Sequence, residues 1–361
     1  MDANPFLGVL LHALGGLMSA TFYVPYRGVK RWSWESYWLA GGIFSWLIAP
    51  WVLAALTVPN LWQVLGQAPR SSLLWSYGFG ILWGLGGLTF GLTMRYLGLS
   101  LGNAIALGFC AVFGTLVPPI FSGEFDEIVS SSPGQVILAG VAVCLGGIVG
   151  SGLAGISKER ELPAAEKSAS IKEFNFVKGC LVAVFCGVMS ASMSYGVVAG
   201  KPIAALAVEL GTPPLWQNTP VFLVILAGGF TTNFLWCAVL HARNGSITDY
   251  FNRGTPLLAN YLLVALAGTI WYLQFMFYGM GTTKMGPYDF SSWTLHMASI
   301  MIFGTVWGAA LGEWRGSSLR THVLIAIGLT TLVASTIIVG YGNYLGVKQA
   351  QASSQLLRTQ P

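Results

Sequence analysis

Long apolar runs recur along the chain, each closed by a short polar break. A helix needs about 20 mainly apolar residues to cross the hydrocarbon core of a bilayer. Runs of that length occupy 5–25, 36–58, 72–94, 98–120, 134–155, 174–199, 218–241, 257–280, 290–312 and 321–343, and they predict ten transmembrane helices. The third and fourth runs are divided only by Arg95, Tyr96 and Leu97. No strand-type alternation persists over these lengths, so a membrane β-barrel has no support. The first run opens Met-Asp-Ala-Asn without a basic segment and exceeds a signal-peptide core, which reads as a retained helix.

Two polar segments organise the pattern. ISKERELPAAEKSASIKE at 156–173 alternates charge and reads as a solvated cytoplasmic linker, and GVKQAQASSQLLRTQP at 346–361 reads as a polar, flexible tail. The linker leaves five runs in 1–155 and five in 174–345. The halves echo one another. At an offset of 171, Gly8, Gly16, Met18, Ser19, Ala20 and Lys30 match Gly179, Gly187, Met189, Ser190, Ala191 and Lys201. At an offset of 188, Trp83, Gly91 and Gly98 match Trp271, Gly279 and Gly286. An odd number of spans per half makes the second half enter the membrane inverted. The expected fold is therefore all-α integral membrane, two inverted five-helix repeats, a transporter architecture with its site near the midplane.

Composition agrees. Hydrophobic residues make up 54% of the 361 and charged residues 9%, against roughly a quarter charged in soluble domains. So little charge excludes a soluble enzyme and a disordered chain. The net charge of +5 is scattered between apolar blocks, which is no footprint for nucleic acid. The five cysteines lie inside apolar runs without ligand spacing, so no metal, cofactor or disulfide is expected. Arg27, Lys30, Arg31, Arg95, Lys158, Arg160, Lys167, Lys172, Arg243, Arg253, Arg315 and Arg320 fall in loops on one side, against Arg70, Lys201, Lys284, Lys348 and Arg358 on the other. The basic side is cytoplasmic by the positive-inside rule, which places both termini outside.

Charge inside a bilayer is costly, so each ionisable group there is a functional candidate. Only His12 and His296 lie well within spans. Asp289, seven residues before His296, shares its face if the helix is continuous, and such a pair is suited to carrying a proton. Glu35, after Arg27, Lys30 and Arg31, is a further proton candidate, although an ion pair or a helix-start acid at the cytoplasmic interface is the favoured account of it. His241 and His322 stand at span ends and are expected in solvent. In the eighth run, Trp271, Gln274, Tyr278 and Thr282 recur on one face. Aromatic faces and an amide suit a sugar, whose C–H faces stack and whose hydroxyls donate and accept; packing against lipid explains the aromatics but not Gln274. Trp83 and Asn103 are weaker midplane candidates. Gly78, Gly80, Gly84, Gly86, Gly87 and Gly91 are suited to close helix approach.

The strings FYVPYRGVKRWSWESYW (22–38), GLTMRYLGLSLG (91–102) and WYLQFMFYGMG with YDFSSWTLHM (271–297) resemble the bacterial L-rhamnose–proton symporter family of the drug/metabolite transporter superfamily. The resemblance covers roughly residues 5–343. It implies a ten-helix inner-membrane carrier that imports L-rhamnose or a close deoxy-sugar by proton symport, with a small neutral sugar, a proton and the lipid bilayer as partners. It brings no residue motif of its own, so the site candidates stay those above. An exporter of metabolites or drugs with the same architecture is the alternative. A membrane-embedded sugar-processing enzyme lacks any DxD, HExxH or GxSxG motif to support it. ATP drive lacks a phosphate-binding loop.

Overall fold

The computed structural model describes residues 3–97, 99–161 and 175–359. All regular structure among them is helical. The long helices are α1 (Pro5–Thr21), α2 (Trp34–Thr57), α3 (Arg70–Leu97), α4 (Leu99–Phe121), α5 (Ser132–Glu161), α6 (Phe176–Ala199), α7 (Thr219–Asn244), α8 (Leu257–Thr282), α9 (Ser292–Ala310) and α10 (Leu319–Thr359). Among the described residues, nine segments are long and apolar enough to cross a membrane. The expected run at 290–312 is not among them. It forms α9, a 19-residue helix whose first half carries Ser292, Thr294, His296 and Ser299, all buried. These polar groups lower its hydropathy because they face protein rather than lipid.

Two expectations about the polar segments change. The tail beyond 345 is not a loose extension, since α10 continues in one helix to Thr359. Its Lys, Gln and Ala residues are good helix formers with no breaker among them. The start of the linker likewise continues α5 to Glu161, and the rest of 156–173 lies outside the described residues.

The chain forms two compact units. The first comprises Met1–Gly16, Thr89–Ala191 and Met280–Pro361; the second comprises Leu17–Leu88 and Ser192–Gly279. Each takes helices from both halves of the chain: α4 and α5 with α9 and α10 in the first, α2 and α3 with α7 and α8 in the second.

In the first unit, α5 and α10 lie together along their length. Glycines set the spacing. A Cβ on Gly150 would stand 3.2 Å from Gly328 Cα, and on Gly342 3.2 Å from the Pro133 carbonyl oxygen. Leu332 and Val339 fill the room left at Gly147 and Gly140. Backbones that approach this closely gain dispersion contact that lipid tails cannot match. At one end of the pair, the Glu161 carboxylate accepts from the Ser318 amide at 2.8 Å and the Thr321 hydroxyl at 2.6 Å.

In the second unit, α3 crosses α7. A Cβ on Gly228 would strike the Tyr77 carbonyl oxygen, and one on Gly84 would come within 2.8 Å of Thr232 Cβ. Hydrogen bonds from Thr232 Oγ1 to the Ile81 carbonyl (3.0 Å) and between Tyr77 and Thr231 (2.8 Å) join the same faces. The glycine-rich face of α3 is thus used selectively: Gly80 and Gly84 meet α7, whereas Gly78, Gly87 and Gly91 have nothing within 4 Å. α2 widens into a π-helical turn at Ile43–Ile48, just after Gly41, whose carbonyl lies where a Cβ on Gly268 of α8 would sit. Single π-turns occur frequently at functional sites.

Gly228→Ala is therefore expected to cost about 1–3 kcal/mol by overpacking. Gly87→Ala, with open space and the better helix former, is expected to be neutral or stabilising by up to about 1 kcal/mol. Unfolding of the purified variants in detergent checks this; equal effects would contradict the packing described.

Candidate functional site

Of the face predicted on α8, Gln274 and Tyr278 are buried, while Trp271 and Thr282 are half-buried. The adjoining Tyr272 and Phe275 are buried as well, each at most 4% exposed. Their neighbours in the second unit form a continuous aromatic row. The Trp271 ring lies 4.1 Å from Phe22 and 6.0 Å from Phe275, the latter edge-on at 88°. Phe275 meets Trp83 at 5.5 Å and 89°, and Trp83 meets Trp46 at 6.4 Å and 89°. Trp46 leads on to Trp38 at 6.0 Å, and Phe222 joins Phe275 to Tyr278. Edge-to-face pairs of this kind add about 0.5–1.5 kcal/mol each beyond area burial and hold the rings in fixed orientations.

Three donors in this region have no acceptor among the described residues: Trp46 Nε1, Trp271 Nε1 and Tyr272 Oη. A buried donor left without a partner costs about 1–3 kcal/mol. Trp38, by contrast, donates to Asn233 Oδ1 at 2.9 Å, and Asn233 donates to the Gly229 carbonyl at 2.8 Å. Gln274 donates Nε2 to the Trp271 carbonyl of its own helix at 3.0 Å. Flat apolar rings beside unmatched N–H and O–H groups are the chemistry a neutral polyol satisfies: its C–H faces stack, and its hydroxyl oxygens accept. Trp46 and Tyr272 were not legible in sequence as members of this set.

A second polar assembly in the same unit surrounds Glu35. α7 ends at Gly245, whose left-handed φ of 66° lets its N–H return to the His241 carbonyl. The chain then turns through a 3-10 segment, Ser246–Phe251, onto the first turn of α2. Glu35, in that first turn and 4% exposed, accepts at Oε1 from Ser246 Oγ (2.6 Å) and Asn244 Nδ2 (2.9 Å). His241 is 6% exposed rather than solvated, because the returning turn covers it. Its Nδ1 is 2.8 Å from Ser246 Oγ and its Nε2 3.1 Å from Tyr250 Oη. Tyr250 donates onward to the Ser36 carbonyl at 3.1 Å. Asp249 accepts from the Ser33 amide and the Ser36 hydroxyl, both at 2.7 Å. Burial pushes the Asp249 carboxyl up, but these two donors and nearby His241 outweigh it and hold the group below the usual carboxylate range.

Arg31 enters this region through a loop that Asn260 fixes. Asn260 accepts from the Lys30 amide at 3.1 Å and donates to its carbonyl at 2.9 Å. Arg31, with an unusual φ of 58°, reaches the Gly254 carbonyl at 3.0 Å.

The remaining candidates lie in the first unit. His12 and His296 are both buried and interact electrostatically. The His12 ring lies against Gly281, where a Cβ would come within 2.8 Å. Thr115 and Thr294 share a hydrogen bond at 2.8 Å nearby in α9's first turns. Asp289 lies outside the α-helix that carries His296. It sits in a 3-10 turn, Gly286–Ser291, that is broken at Tyr288 (φ −106°, ψ 42°), and α9 begins only at Ser292. The seven-residue spacing assumed one continuous α-helix, and the 3-10 geometry up to Ser291 departs from it. Asn103 is half-buried on α4. No cluster of three metal-ligating side chains occurs among the described residues.

Comparison with known proteins gives one consistent result. The family model described as L-rhamnose-proton symport protein (RhaT) matches residues 1–344. Proteins named L-rhamnose-proton symporter from Salmonella newport (strain SL254), Salmonella agona (strain SL483) and Salmonella enteritidis PT4 (strain P125109) are each 41% identical over 340 residues. The alignments cover 93% of this chain and 97% of each relative.

The depressed Asp249 carboxyl has a measurable consequence. A group whose folded value lies below its unfolded one, about 3.9 for Asp, stabilises the fold above that unfolded value and loses the contribution as pH falls through the folded value. The Tm difference between the wild type and Asp249→Ala is expected to be constant near neutral pH and to shrink below about pH 4. A difference that grows on acidification would contradict the assigned hydrogen bonds.

Proposed function

The chain belongs to the family of L-rhamnose-proton symport proteins, and on that premise we propose that it imports L-rhamnose, or a close deoxy-sugar, with a proton across a bacterial inner membrane. The observation that carries the substrate reading is the aromatic row of the second unit. Trp271, Trp83 and Tyr278 offer stacking surfaces, Trp46, Trp271 and Tyr272 offer unmatched donors, and Gln274 contributes a further amide. Asn103, on α4 of the first unit, is a weaker candidate.

The architecture is read as ten spans in two inverted five-helix repeats, 1–155 and 174–345. The grouping of helices supports this: α4 and α5 accompany α9 and α10, and α2 and α3 accompany α7 and α8, each pair of partners five positions apart. α1 and α6, the spans that echo one another in sequence, are each divided between the units, after Gly16 and after Ala191. Two equivalent halves give inward- and outward-open arrangements of nearly equal energy, which alternating access needs. The loop charges support a topology with both termini in the periplasm.

Coupling is energetically sufficient. One proton moving down about 100 mV supplies about 2.3 kcal/mol, which sustains roughly 50-fold accumulation of an uncharged solute. Two seats for the proton stand out: the His12–His296 pair, with Asp289 displaced from it, and Glu35. Export by the same architecture is the competing reading, and flux direction separates the two.

In proteoliposomes, L-rhamnose added outside is expected to alkalinise the external medium, and an inward proton gradient is expected to drive uptake. D-Glucose should do neither. Efflux that is driven by proton entry would establish the exporter instead. Trp271→Phe keeps a ring but deletes an N–H that has no acceptor among the described residues. It is expected to raise the rhamnose Kd by roughly two- to tenfold, the worth of one hydrogen bond, with the ligand-free Tm unchanged. An unaltered Kd would remove Trp271 Nε1 from the sugar site.

A further inference from the structure

The hydrogen bonds around His241 can be counted proton by proton. Ser246 has one hydroxyl hydrogen, and it is directed to Glu35 Oε1 at 2.6 Å. Its contact with His241 Nδ1, at 2.8 Å, is therefore one in which the imidazole donates. Tyr250 likewise has one hydrogen, and of its two neighbours at 3.1 Å the Ser36 carbonyl can only accept it. With that hydrogen on the Ser36 carbonyl, the contact with His241 Nε2 is again one in which the imidazole donates. Both ring nitrogens then carry hydrogen, and a histidine with two N–H groups is the imidazolium cation. Moving the proton to Glu35 instead would neutralise a carboxylate whose Oε1 accepts from both Ser246 and Asn244 (2.9 Å), an arrangement suited to an ionised acceptor.

We propose that His241, bridged to Glu35 by Ser246 and braced by Tyr250, is a proton-binding site of this carrier. The groups facing the imidazole suit a cation. Glu35 approaches from the start of α2, Asp249 and Tyr250 from the 3-10 turn, and Cys237 lies about one turn earlier on α7, with Tyr261 of α8 beyond Tyr250. The two carboxylates compensate the desolvation of a buried positive charge. Nothing else in the arrangement needs to be ionised.

Releasing the proton to water leaves one ring nitrogen bare. Either Ser246 then turns its hydroxyl from Glu35 to Nδ1, or Tyr250 turns its hydroxyl from the Ser36 carbonyl to Nε2. Both alternatives undo a bond that ties the turn after α7 to the first turn of α2. The site's protonation state is thus linked to the attachment of two spans of the second unit. The role in coupling rests on the symport reading above; the protonation itself does not.

Two measurements test this. The chain has four histidines, so ring nitrogens in uniformly ¹⁵N-histidine-labelled protein are assignable, with His241→Gln identifying the signal. Near pH 6.5 both nitrogens of His241 are expected to be protonated, with one proton lost as pH rises. A single neutral tautomer from pH 5 to 9 would overturn the proposal, whatever the substrate proves to be. In proteoliposomes, the ratio of protons taken up to sugar taken up is expected to fall at least tenfold in His241→Gln and Glu35→Gln. A ratio unchanged from the wild type in both overturns the coupling role. If a variant loses sugar uptake altogether, the nitrogen spectrum of the wild type decides. If the wild type carries no rhamnose, the symport reading fails while a doubly protonated His241 still stands.

Discussion

A polar group inside a bilayer has no water to turn to, and every backbone N–H and C=O must find a partner within the protein. Helices meet that demand for the backbone, and the long apolar helices of this chain follow from it. Side chains face the same demand without a regular solution. Each buried Ser, Thr, Asn, His or Glu needs a specific neighbour. Where one is found, as with Thr115 and Thr294 or Asn343 and Ser291, the polar group fixes how two segments face one another. Where none is found among the described residues, as at Trp46 Nε1 and Trp271 Nε1, the group carries an uncompensated desolvation cost.

The same constraint explains the glycines. Without a hydrophobic drive between helices in lipid, association depends on close contact and interhelical hydrogen bonds. α5 with α10 and α3 with α7 solve this alike: glycine brings backbones together, and a larger side chain on the partner fills the remaining room. In the second unit this rigid crossing frames the aromatic row. Trp83 stands on α3 against Gly229 of α7, so the packing device and the candidate sugar site share a residue. The π-turn of α2 does similar service for Trp46.

The assembly around Glu35 combines these themes. A helix end, a left-handed glycine and a short 3-10 turn bring α7 back onto the start of α2. The result is a buried acid, imidazole and phenol in sequence, joined by hydroxyl groups with one hydrogen apiece. Hydroxyls in such a chain transmit donor and acceptor assignments, so one ring's protonation governs bonds several residues away. This is how a single proton acquires a structural consequence there.

Much of the fold was legible in the sequence, because span length and apolarity are local properties. The expected runs agree with the observed helices within a few residues for most of the chain, and the interior histidines were isolated correctly as buried. Local pattern failed where a distant segment decided the environment. His241 looks solvated from its span end, and only the returning turn buries it. Asp289 looks aligned with His296 on one continuous helix, but it stands in the 3-10 turn that precedes the α-helix beginning at Ser292. The run at 290–312 reads as an ordinary span, yet its polar half is sheltered by protein. The tail beyond 345 looks polar and loose, although nothing in it interrupts the helix. What the sequence by itself determined is which segments leave water, since transfer free energy sums along the chain. Which polar groups meet, and hence where a sugar or a proton is held, was decided by tertiary structure. Glu35 and Ser246 stand 211 residues apart, and no periodicity reaches that far.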